Sequence, residues 1–398
     1  MKRALEGLRV LDLSRYVAGP HGTMLLGDHG ADVVKVEPPD RGDPARGIDR
    51  HLGPPDSLFA MTVNRNKRSL ALDLRKAEGI ALLKDLAAKA DIMVENFKPG
   101  TLEAMGLDYA SLAAPNPRLI LVRISGFGQT GPWAERPAYD AIAQAASGLM
   151  DLTGSPDGPP TMVGTIVIDY TTALHAMLGA MIALQARERT GRGQEVHASL
   201  LDGMASMLMT AIPETLLFDR EPTRHGNRDR LIAPSNSFRT ADGQWVHLMT
   251  VTDDQFNRLA PAMGRSDLIE DPRFATTLPR MQNGAEVEAI TADWVARTPL
   301  TEVLAVLQAA GIPSSKVTTV AELARSEQMQ ARRRIVEIEH PVAGRVPVAA
   351  HPIELSVTPA VEGGRVPTLG EHTAAVLKDW LALDEREIAA LREAAVVA

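Results

Sequence analysis

Asp169 is the residue whose position most directly suggests chemistry, because it precedes a long stretch of helical periodicity. Apolar residues recur at three- and four-residue intervals from Tyr170 to about Glu188, and a glycine-containing turn at 190–193 ends the pattern. An Asp before a helix commonly caps it by accepting the free N–H groups of the first turn. The same helix end favours an ionised carboxylate by about 0.3 to 1 kcal/mol, and only the ionised form is a nucleophile. The residues alone leave two interpretations of Asp169 open, a cap and a nucleophile.

Two groups of basic residues could hold an anionic ligand. Lys67 and Arg68 end the polar run 64–68, and Arg41 and Arg46 surround a Gly-Asp-Pro turn. The chain has 50 acidic and 42 basic residues and a net charge of -8, so a phosphorylated ligand requires a local cluster of cations. Short charged runs are commonly solvated, and the run 64–68 also fits a solvated turn before a strand.

The elements that must position these residues predict an α/β fold. Short apolar runs typical of strands lie at 8–13, 32–37, 70–74, 92–95 and 119–124, and helical patterns lie at 23–30 and 76–89. This alternation predicts a mostly parallel sheet covered by helices. After an irregular, charged stretch, strand patterns flank an Asp-Gly turn and indicate a second, smaller domain.

Composition excludes several classes of function. The chain has no cysteine, which removes disulfides, thiolate metal sites and cysteine nucleophiles. Its ten histidines are scattered without ligand spacing, so we expect no metal site. The acidic balance argues against a general affinity for nucleic acid or anionic membrane, and no stretch reaches the length of apolar residues that a membrane span needs. We therefore expect a cytoplasmic protein that binds neither nucleic acid nor membrane.

The first strand, turn and helix imitate a dinucleotide-binding unit, with Glu37 in the place of the ribose-binding acid. The turn at 19–22 reads Gly-Pro-His-Gly, which lacks the spacing that brings backbone N–H groups against a pyrophosphate. A plain strand-to-helix turn is the preferred interpretation. An NAD-linked oxidoreductase remains an alternative of a different class.

Many segments together resemble the class III CoA-transferase family (CaiB/BaiF type). The segments that carry the resemblance are Leu8–Leu13, Ala18-Gly19-Pro20, Gly30–Glu37, Asn66–Ser69, Glu95–Gly100, Ser125–Gly128, Asp169, Thr190–Gln194 and Leu369–Thr373. The resemblance implies an α/β fold with a Rossmann-like large domain, a smaller α+β domain and an interlocked homodimer. On this basis we divide the chain into a large CoA-binding domain at 1–205, a linker at 206–232, a small domain at 233–325 and a return segment at 326–398.

The resemblance also implies the reaction and its nucleophile. The matching Asp of the family, Asp169 here, attacks an acyl-CoA to give a mixed anhydride and then carries CoA as an aspartyl thioester. The partners are an acyl-CoA and a small carboxylic acid, and no permanently bound cofactor or metal is implied.

The remaining site residues are implied in the same way, by position. Lys67 and Arg68 match contacts to CoA, with Arg41 and Arg46 as secondary phosphate ligands. Asn96, Phe97 and Met105 match positions beside the adenine or pantetheine, although Phe97 and Met105 fit a hydrophobic core equally well. Val17 and Ala18 form the turn at the substrate, and Tyr139 approaches the thioester unless it is simply a half-buried tyrosine.

Relatives with other activities define the alternatives. Acyl-CoA racemases pair the Asp with a His in a Gly-His-Asp motif, whereas this chain has Ala138-Tyr139-Asp140, so the second proton carrier is missing. Formyl-CoA:oxalate enzymes carry a Gln where this chain has Val17 and a glycine-rich flap that it lacks, which argues against formate and oxalate. A CoA-binding protein without catalytic activity remains the third alternative.

Overall fold

The computed structural model describes residues 3–48 and 56–398, which form two compact units. The larger unit contains the described residues up to Leu149 together with Val163–Pro213 and Gln328–Ala398. The smaller unit contains Met150–Met162 and Glu214–Glu327. It takes in much of the predicted linker 206–232 with the predicted small domain, as well as a short insertion that the sequence did not single out.

Six parallel strands form the central sheet of the larger unit. They are β1 (Arg9–Asp12), β2 (Asp32–Glu37), β3 (Lys67–Ala71), β4 (Ile92–Glu95), β5 (Ile120–Ser125) and β6 (Glu195–Ser199). Their order is β3-β2-β1-β4-β5-β6, and all neighbouring pairs are parallel. This is the Rossmann strand order, and it confirms the predicted α/β class. The order reverses between β1 and β4, so the crevice beyond their carboxyl ends is the expected ligand site.

Helices cover both faces of this sheet. They are α1 (Ala18–Asp28), α2 (Leu58–Asn64), α3 (Ala77–Ala87), α4 (Thr101–Ala104), α5 (Tyr109–Ala113), α6 (Asp140–Ala146), α8 (Val167–Thr190) and α9 (Leu200–Met207), with a 3-10 turn at Pro44–Gly47. Two further helices, α7 (Leu149–Leu152) and α10 (Ala211–Phe218), begin in the larger unit and end in the smaller one. β5 is buried along its whole length, as expected of a strand covered on both faces. α8 is long and apolar enough to cross a membrane, but it packs against α1, β5 and β6, and a core helix has the same properties.

The smaller unit has its own antiparallel sheet and its own core. Its strands are β7 (Ser235–Arg239), β8 (Trp245–Met249) and β9 (Ser314–Lys316), and its helices are α11 (Asp253–Ala262), α12 (Thr277–Gln282), α13 (Gly284–Ala296), α14 (Leu300–Ala309) and α15 (Val320–Arg325), with a 3-10 turn at Ser266–Ile269. The predicted hairpin is present, because β7 pairs antiparallel with β8 across the Asp-Gly turn. Phe256, Phe274 and Val303 are fully buried in the core.

The C-terminal segment returns to the larger unit. It contains α16 (Glu327–Ala331), β10 (Ile335–His340), β11 (Gly344–Ala349), β12 (Gly364–Arg365), α17 (Thr373–Leu381) and α18 (Glu385–Glu393). Val397 bridges to Leu72 beyond β3, and the His372 N–H donates to the Ser69 carbonyl at 3.0 Å. These contacts place the end of the chain against the edge strand of the sheet.

Two local predictions were wrong. α8 begins at Val167 rather than Tyr170, so Asp169 lies inside the first helical turn and does not cap the helix. The helix starts earlier because Asp140, from another helix, accepts N–H bonds from the first turn. The edge strand begins at Lys67 rather than residue 70, since Asp12 and Asp32 of neighbouring strands neutralise the cations at its start.

Candidate active site

A cleft of about 430 Å³ opens where the strand order of the larger unit reverses. Its lining comes from the loops that follow β1, β4 and β5, from the segment before α6, and from the first residues of α8 and α9. The lining residues are Arg15, Tyr16, Val17, Ala18, Asn96, Phe97, Lys98, Pro99, Thr101, Ile124, Ser125, Gly126, Ala134, Arg136, Pro137, Ala138, Tyr139, Asp169 and Leu200. The fold therefore brings loops that are far apart in sequence to the edge where sheets of this type bind ligands.

Asp169 reaches this cleft from the first turn of α8. Its own backbone N–H donates to the Asp140 carboxylate at 3.1 Å, and the Ile168 N–H donates to the same oxygen at 2.7 Å. Gln144 donates to the other Asp140 oxygen at 2.5 Å. Among residues 3–48 and 56–398, no donor bonds to the Asp169 carboxylate itself. Because Asp140 caps the helix, the Asp169 side chain remains available to a ligand.

Burial and the neighbouring Asp140 charge raise the pKa of Asp169 from 3.8 to about 7. Taking a carboxylate out of water penalises its charged form, and a second carboxylate nearby adds to the penalty. The contribution of the helix end, about 0.3 to 1 kcal/mol in favour of the carboxylate, is therefore outweighed by burial and by Asp140. Without a ligand this carboxyl titrates near neutrality, as acid/base and nucleophilic groups of active sites commonly do.

The loop after β1 is held rigidly beside Asp169. The Arg15 N–H donates to the Asn96 side chain at 2.7 Å, and the Asn96 amide donates back to the Arg15 carbonyl at 2.7 Å. Tyr16 has a φ of 62°, in the left-handed region, and its N–H donates to Asp43 at 3.1 Å. These bonds hold a backbone conformation that costs energy, which is typical of functional loops.

Gly19 lets the start of α1 approach this loop closely. A Cβ atom at position 19 would lie 2.1 Å from the Ser14 Cβ. Gly126, after β5, has the same role on the far side of the cleft, since its Cβ would lie 2.4 Å from that of Ala138. Both backbones can approach only because these positions are glycine.

A buried network of charges lies beneath the β1 loop. Lys67 pairs with Asp12 at 2.9 Å and donates to the Pro20 carbonyl at 2.8 Å, and both charged side chains are fully buried. Lys35 pairs with Asp43 at 2.9 Å and donates to the Ser14 carbonyl at 2.8 Å. Although burial opposes ionisation, Lys67 and Lys35 hold the pKa of Asp12 well below its usual range. The network fixes the loop from below and does not line the cleft.

Arg46 is likewise a structural residue. It binds both oxygens of Glu37, at 2.7 and 2.9 Å, and it binds Asp56 at 2.8 Å. Its side chain is almost completely buried. Both faces of its guanidinium fork are thus used by acids of the protein, so the structure offers it no free donor for a phosphate.

The loop after β4 forms another wall of the cleft. Phe97 lines it, and the Phe97 N–H donates to the buried Glu95 carboxylate at 2.7 Å. Burial raises the pKa of Glu95 to about 7, although Arg123 donates to it at 2.9 Å. The Arg15 guanidinium lies over the Phe97 ring, 5.0 Å from its centre, within the range of a cation–π contact.

Tyr139 lies at the mouth of the cleft. It is 62% exposed, and its ring meets that of Tyr16 edge to face at 5.6 Å between centres. The Tyr16 pKa is raised by the neighbouring Tyr139 hydroxyl and by burial. Tyr139 is thus not the half-buried core tyrosine that was the alternative, and its ring is free to contact a ligand.

A second, smaller cavity of about 110 Å³ adjoins the same loop. It is lined by Arg41, Met105 and Arg75 as well as by Arg15, which also lines the main cleft. Arg75 is paired with Asp73 at 2.8 Å. Arg15 therefore lines both the Asp169 cleft and a cavity whose border contains three arginines and the acids Glu37 and Asp73.

The structure brings together most of the predicted site residues but separates three of them. Six line the main cleft with or around the predicted nucleophile: Val17, Ala18, Asn96, Phe97, Tyr139 and Asp169. Arg41 and Met105 line the second cavity. Lys67 and Arg46 are consumed by buried ion pairs, and Arg68 is paired with Asp32 and Asp379 on the edge strand. Contact of these three residues with a ligand stays a prediction.

Sequence reasoning missed three residues of the site. Arg15 and Arg136 line the cleft, and the Arg136 guanidinium lies 4.6 Å from the centre of the Trp133 ring. Asp140 caps α8. Position in the loop after β1 could have identified Arg15, because the switch point of the sheet lies there. Nothing in the local sequence reveals the role of Asp140. Within the described ranges, no cluster of three or more His, Asp or Glu side chains could hold a metal ion.

Comparison with known proteins gives consistent results over nearly the whole chain. A family model described as CoA-transferase family III matches residues 5–373. Succinyl-CoA–D-citramalate CoA-transferase of Chloroflexus aurantiacus is 38% identical over 395 residues, which is 99% of this chain and 98% of that protein. Acetyl-CoA:oxalate CoA-transferase of Acetobacter aceti is 37% identical over 383 residues, which is 96% of this chain and 97% of that protein.

A solved structure has the same fold. The crystal structure of a CaiB/BaiF family protein from Brucella suis superimposes with a TM-score of 0.82 at 37% identity, covering 96% of this chain and 100% of that one. The match extends well beyond the sheet, because it includes segments of both compact units.

Proposed function

The chain belongs to CoA-transferase family III, and from this premise we propose that it transfers CoA between carboxylic acids by covalent catalysis at Asp169. The observation that carries the proposal is the Asp169 carboxyl, which lines the cleft while Asp140 performs the capping that would otherwise occupy it. A carboxylate is the nucleophile that this reaction needs, because an acyl anhydride preserves the energy of the thioester.

The proposed reaction has two exchanges at the same carboxyl group. One Asp169 oxygen attacks the thioester carbonyl carbon, the C–S bond breaks, and a mixed anhydride forms with release of the CoA thiolate. The thiolate then attacks the aspartyl carbonyl carbon, so the C–O bond of the anhydride breaks and the first acid leaves. The acceptor carboxylate repeats both exchanges in reverse on the aspartyl-CoA thioester. The two half-reactions balance without an oxidant, a metal or a net proton transfer.

The cations of the two cavities support the placement of CoA. We propose that the pantetheine arm enters the main cleft and that the nucleotide end lies towards the second cavity, beside Arg41. Backbone and side chains around Arg15 join the two spaces. A planar guanidinium suits phosphate oxygens, and an acidic protein has to concentrate such groups locally.

The names of the relatives support a dicarboxylic substrate. Two relatives are named for succinyl-CoA, one with citramalate and the other, from Mus musculus, with glutarate. The Mus musculus protein is 36% identical to this chain, over 97% of this chain and 88% of that protein. A third is named for acetyl-CoA and oxalate. We propose a dicarboxylic acid on at least one side of the exchange. Oxalate stays among the acceptors to be tested, although Val17 and the missing glycine flap argue against it.

We also propose a homodimer. α8 exposes Leu174, Leu178 and Ile182 at four-residue intervals, and each is between 49% and 59% exposed. A continuous apolar stripe on a central helix favours a protein partner. The interlocked arrangement implied by the family resemblance would cover it with a second copy. A cytoplasmic location fits a protein that acts on CoA thioesters.

Racemisation receives less support than transfer. Among the residues that line the cleft there is no histidine, and Tyr139 holds the place of the second proton carrier. A racemase needs a proton-transfer group on each face of the substrate α-carbon.

The test is a panel of acyl-CoAs and carboxylic acids with wild type, Asp169→Asn and Asp202→Asn. Asp202 is the matched control, because it is an exposed Asp at the same helical position of α9 that Asp169 has in α8. We expect transfer by wild type and by Asp202→Asn, and at least about 1,000-fold loss for Asp169→Asn, as for removal of other nucleophiles. Substantial residual transfer by Asp169→Asn would remove Asp169 from the nucleophile role.

A further inference from the structure

The cleft contains an arginine without an acid. Nearly all other buried or half-buried arginines of the larger unit are paired: Arg46, Arg65, Arg68, Arg123 and Arg187 each contact a carboxylate. In the part of the chain that the structure describes, the Arg15 guanidinium forms neither an ion pair nor a hydrogen bond. It makes a cation–π contact with the Phe97 ring. A half-buried cation that the protein leaves unneutralised is suited to an anionic ligand.

Arg15 is also held in place. Its backbone is bonded on both sides to Asn96, each at 2.7 Å, and its guanidinium lies 5.0 Å from the centre of the Phe97 ring. The next residue has a left-handed backbone that Asp43 stabilises. A flexible side chain on a fixed main chain, stacked on a ring, loses less entropy when it binds a ligand.

The nucleophile does not use this cation. Burial and Asp140 are the causes that set the Asp169 pKa, and both disfavour the carboxylate. Arg15 therefore shares the cleft with Asp169 without neutralising it. The positive charge is available to the substrate at the moment when an anionic acid must enter beside an acidic nucleophile.

We infer that Arg15 determines specificity by binding the free, distal carboxylate of a dicarboxylic acyl group while its other end reacts at Asp169. The inference rests on the proposed transferase function and names the residue that selects the acyl group. A guanidinium binds a carboxylate through two parallel N–H donors, which fixes the orientation of the acyl chain as well as its charge.

The same donors could bind a phosphate of CoA, because Arg15 also lines the second cavity. Carboxylate and phosphate are both anions whose oxygens accept hydrogen bonds from a guanidinium, so the test has to distinguish the distal carboxylate from a CoA phosphate. The cleft position favours the carboxylate, since Arg15 lies three residues after the end of β1 and shortly before Val17, which lines the same cleft as Asp169.

The test compares succinyl-CoA with butyryl-CoA, which has the same chain length but no distal charge, in wild type, Arg15→Gln and Arg15→Lys. We expect kcat/KM for succinyl-CoA to fall about 10- to 100-fold in Arg15→Gln, as for loss of a charge-assisted hydrogen bond, while butyryl-CoA changes less than about threefold. Arg15→Lys should recover part of the preference, because it restores the charge without the fork. Thermal melting of each variant verifies the fold.

Arg136→Gln is the matched control, since Arg136 is a second cation of the cleft and is stacked on Trp133. We expect it to leave the succinyl to butyryl ratio unchanged. An equal loss for both acyl-CoAs in Arg15→Gln, or a weaker Kd for free CoA, would assign Arg15 to the phosphates and overturn the inference. If Arg136→Gln instead abolished the preference for succinyl-CoA over butyryl-CoA, Arg136 would be the residue that binds the distal carboxylate.

The two proposals fail separately. A wild-type protein that transfers no CoA contradicts the proposed function before any Arg15 variant is made. A wild-type protein that transfers CoA, with an acyl preference that Arg15→Gln leaves intact, contradicts only the role of Arg15.

Discussion

Replacement of Asp140 by Asn should lower the pH at which Asp169 becomes reactive. The pKa of Asp169 is raised from 3.8 to about 7, with burial as the larger cause and the Asp140 charge as the smaller. The smaller cause accounts for less than half of this difference, or less than about 1.6 pH units. We therefore expect the pKa of Asp169 in Asp140→Asn to fall to about 6, because the neutral amide oxygen can still accept the two N–H bonds of α8.

The consequence is largest in mildly acidic solution. At pH 6 a group of pKa 7 is about one-tenth ionised and a group of pKa 6 is about half ionised, so the first half-reaction should be about fivefold faster in the variant. The assay is kcat/KM for CoA release from an acyl-CoA between pH 5 and 9, which reports groups of the free enzyme. Rates should rise with pH in both proteins, since the ionised carboxylate is the nucleophile.

The control for this prediction is Asp85→Asn, which removes the same charge from an exposed position on α3. It should leave the inflection where it is in wild type. Thermal melting must accompany the assay, because the new amide faces the Gln144 donor that now bonds to Asp140. An inflection that stays near 7 or moves upward in Asp140→Asn would refute the electrostatic reasoning.

Three further predictions concern stability and assembly. Asp169→Asn should stabilise the protein at pH 8, by at most about 4 kcal/mol in urea unfolding, but not at pH 4. The reason is that a carboxyl whose pKa is raised by folding costs stability only as pH rises from 3.8 through about 7. Equal effects at both pH values would contradict this. Lys67→Met should lower the free energy of unfolding by about 3 to 5 kcal/mol, since it leaves Asp12 buried and unpaired. Adding Asp12→Asn to the same chain should recover part of that loss. Weaker CoA binding in a fully stable Lys67→Met protein would instead support Lys67 as a ligand contact. Leu178→Arg should give a monomer by light scattering where Lys84→Arg, on a distant helix, does not; a monomeric wild type would contradict the proposed dimer.

The sequence predicted the parts of the fold that depend on local pattern. The strands 32–37 and 92–95 were predicted with the bounds that the structure shows, since each has a core of β-branched and other apolar residues between turn signals. The family resemblance, not local pattern, singled out Asn96 and Phe97, and both line the cleft.

The remaining features depend on partners that are distant in sequence. Lys67 is buried because Asp12, 55 residues earlier, neutralises it, and no local rule distinguishes it from a solvated lysine. The cap of α8 comes from Asp140, 28 residues before the N–H group of Ile168 that it accepts. Burial, and to a smaller extent the Asp140 charge, raise the Asp169 pKa. Sequence could thus propose the nucleophile but not the environment that sets its reactivity.

The most direct test of the central claim is to trap the covalent intermediate on the intact protein. Wild type is mixed with succinyl-CoA, treated with hydroxylamine, digested and analysed by mass spectrometry, with Asp169→Asn and Asp202→Asn in parallel. Acylated or CoA-bearing Asp169 should be converted to a hydroxamate in wild type and in Asp202→Asn, and the peptide should be unmodified in Asp169→Asn. Turnover without any modification of Asp169, or a hydroxamate at another residue, would contradict the account.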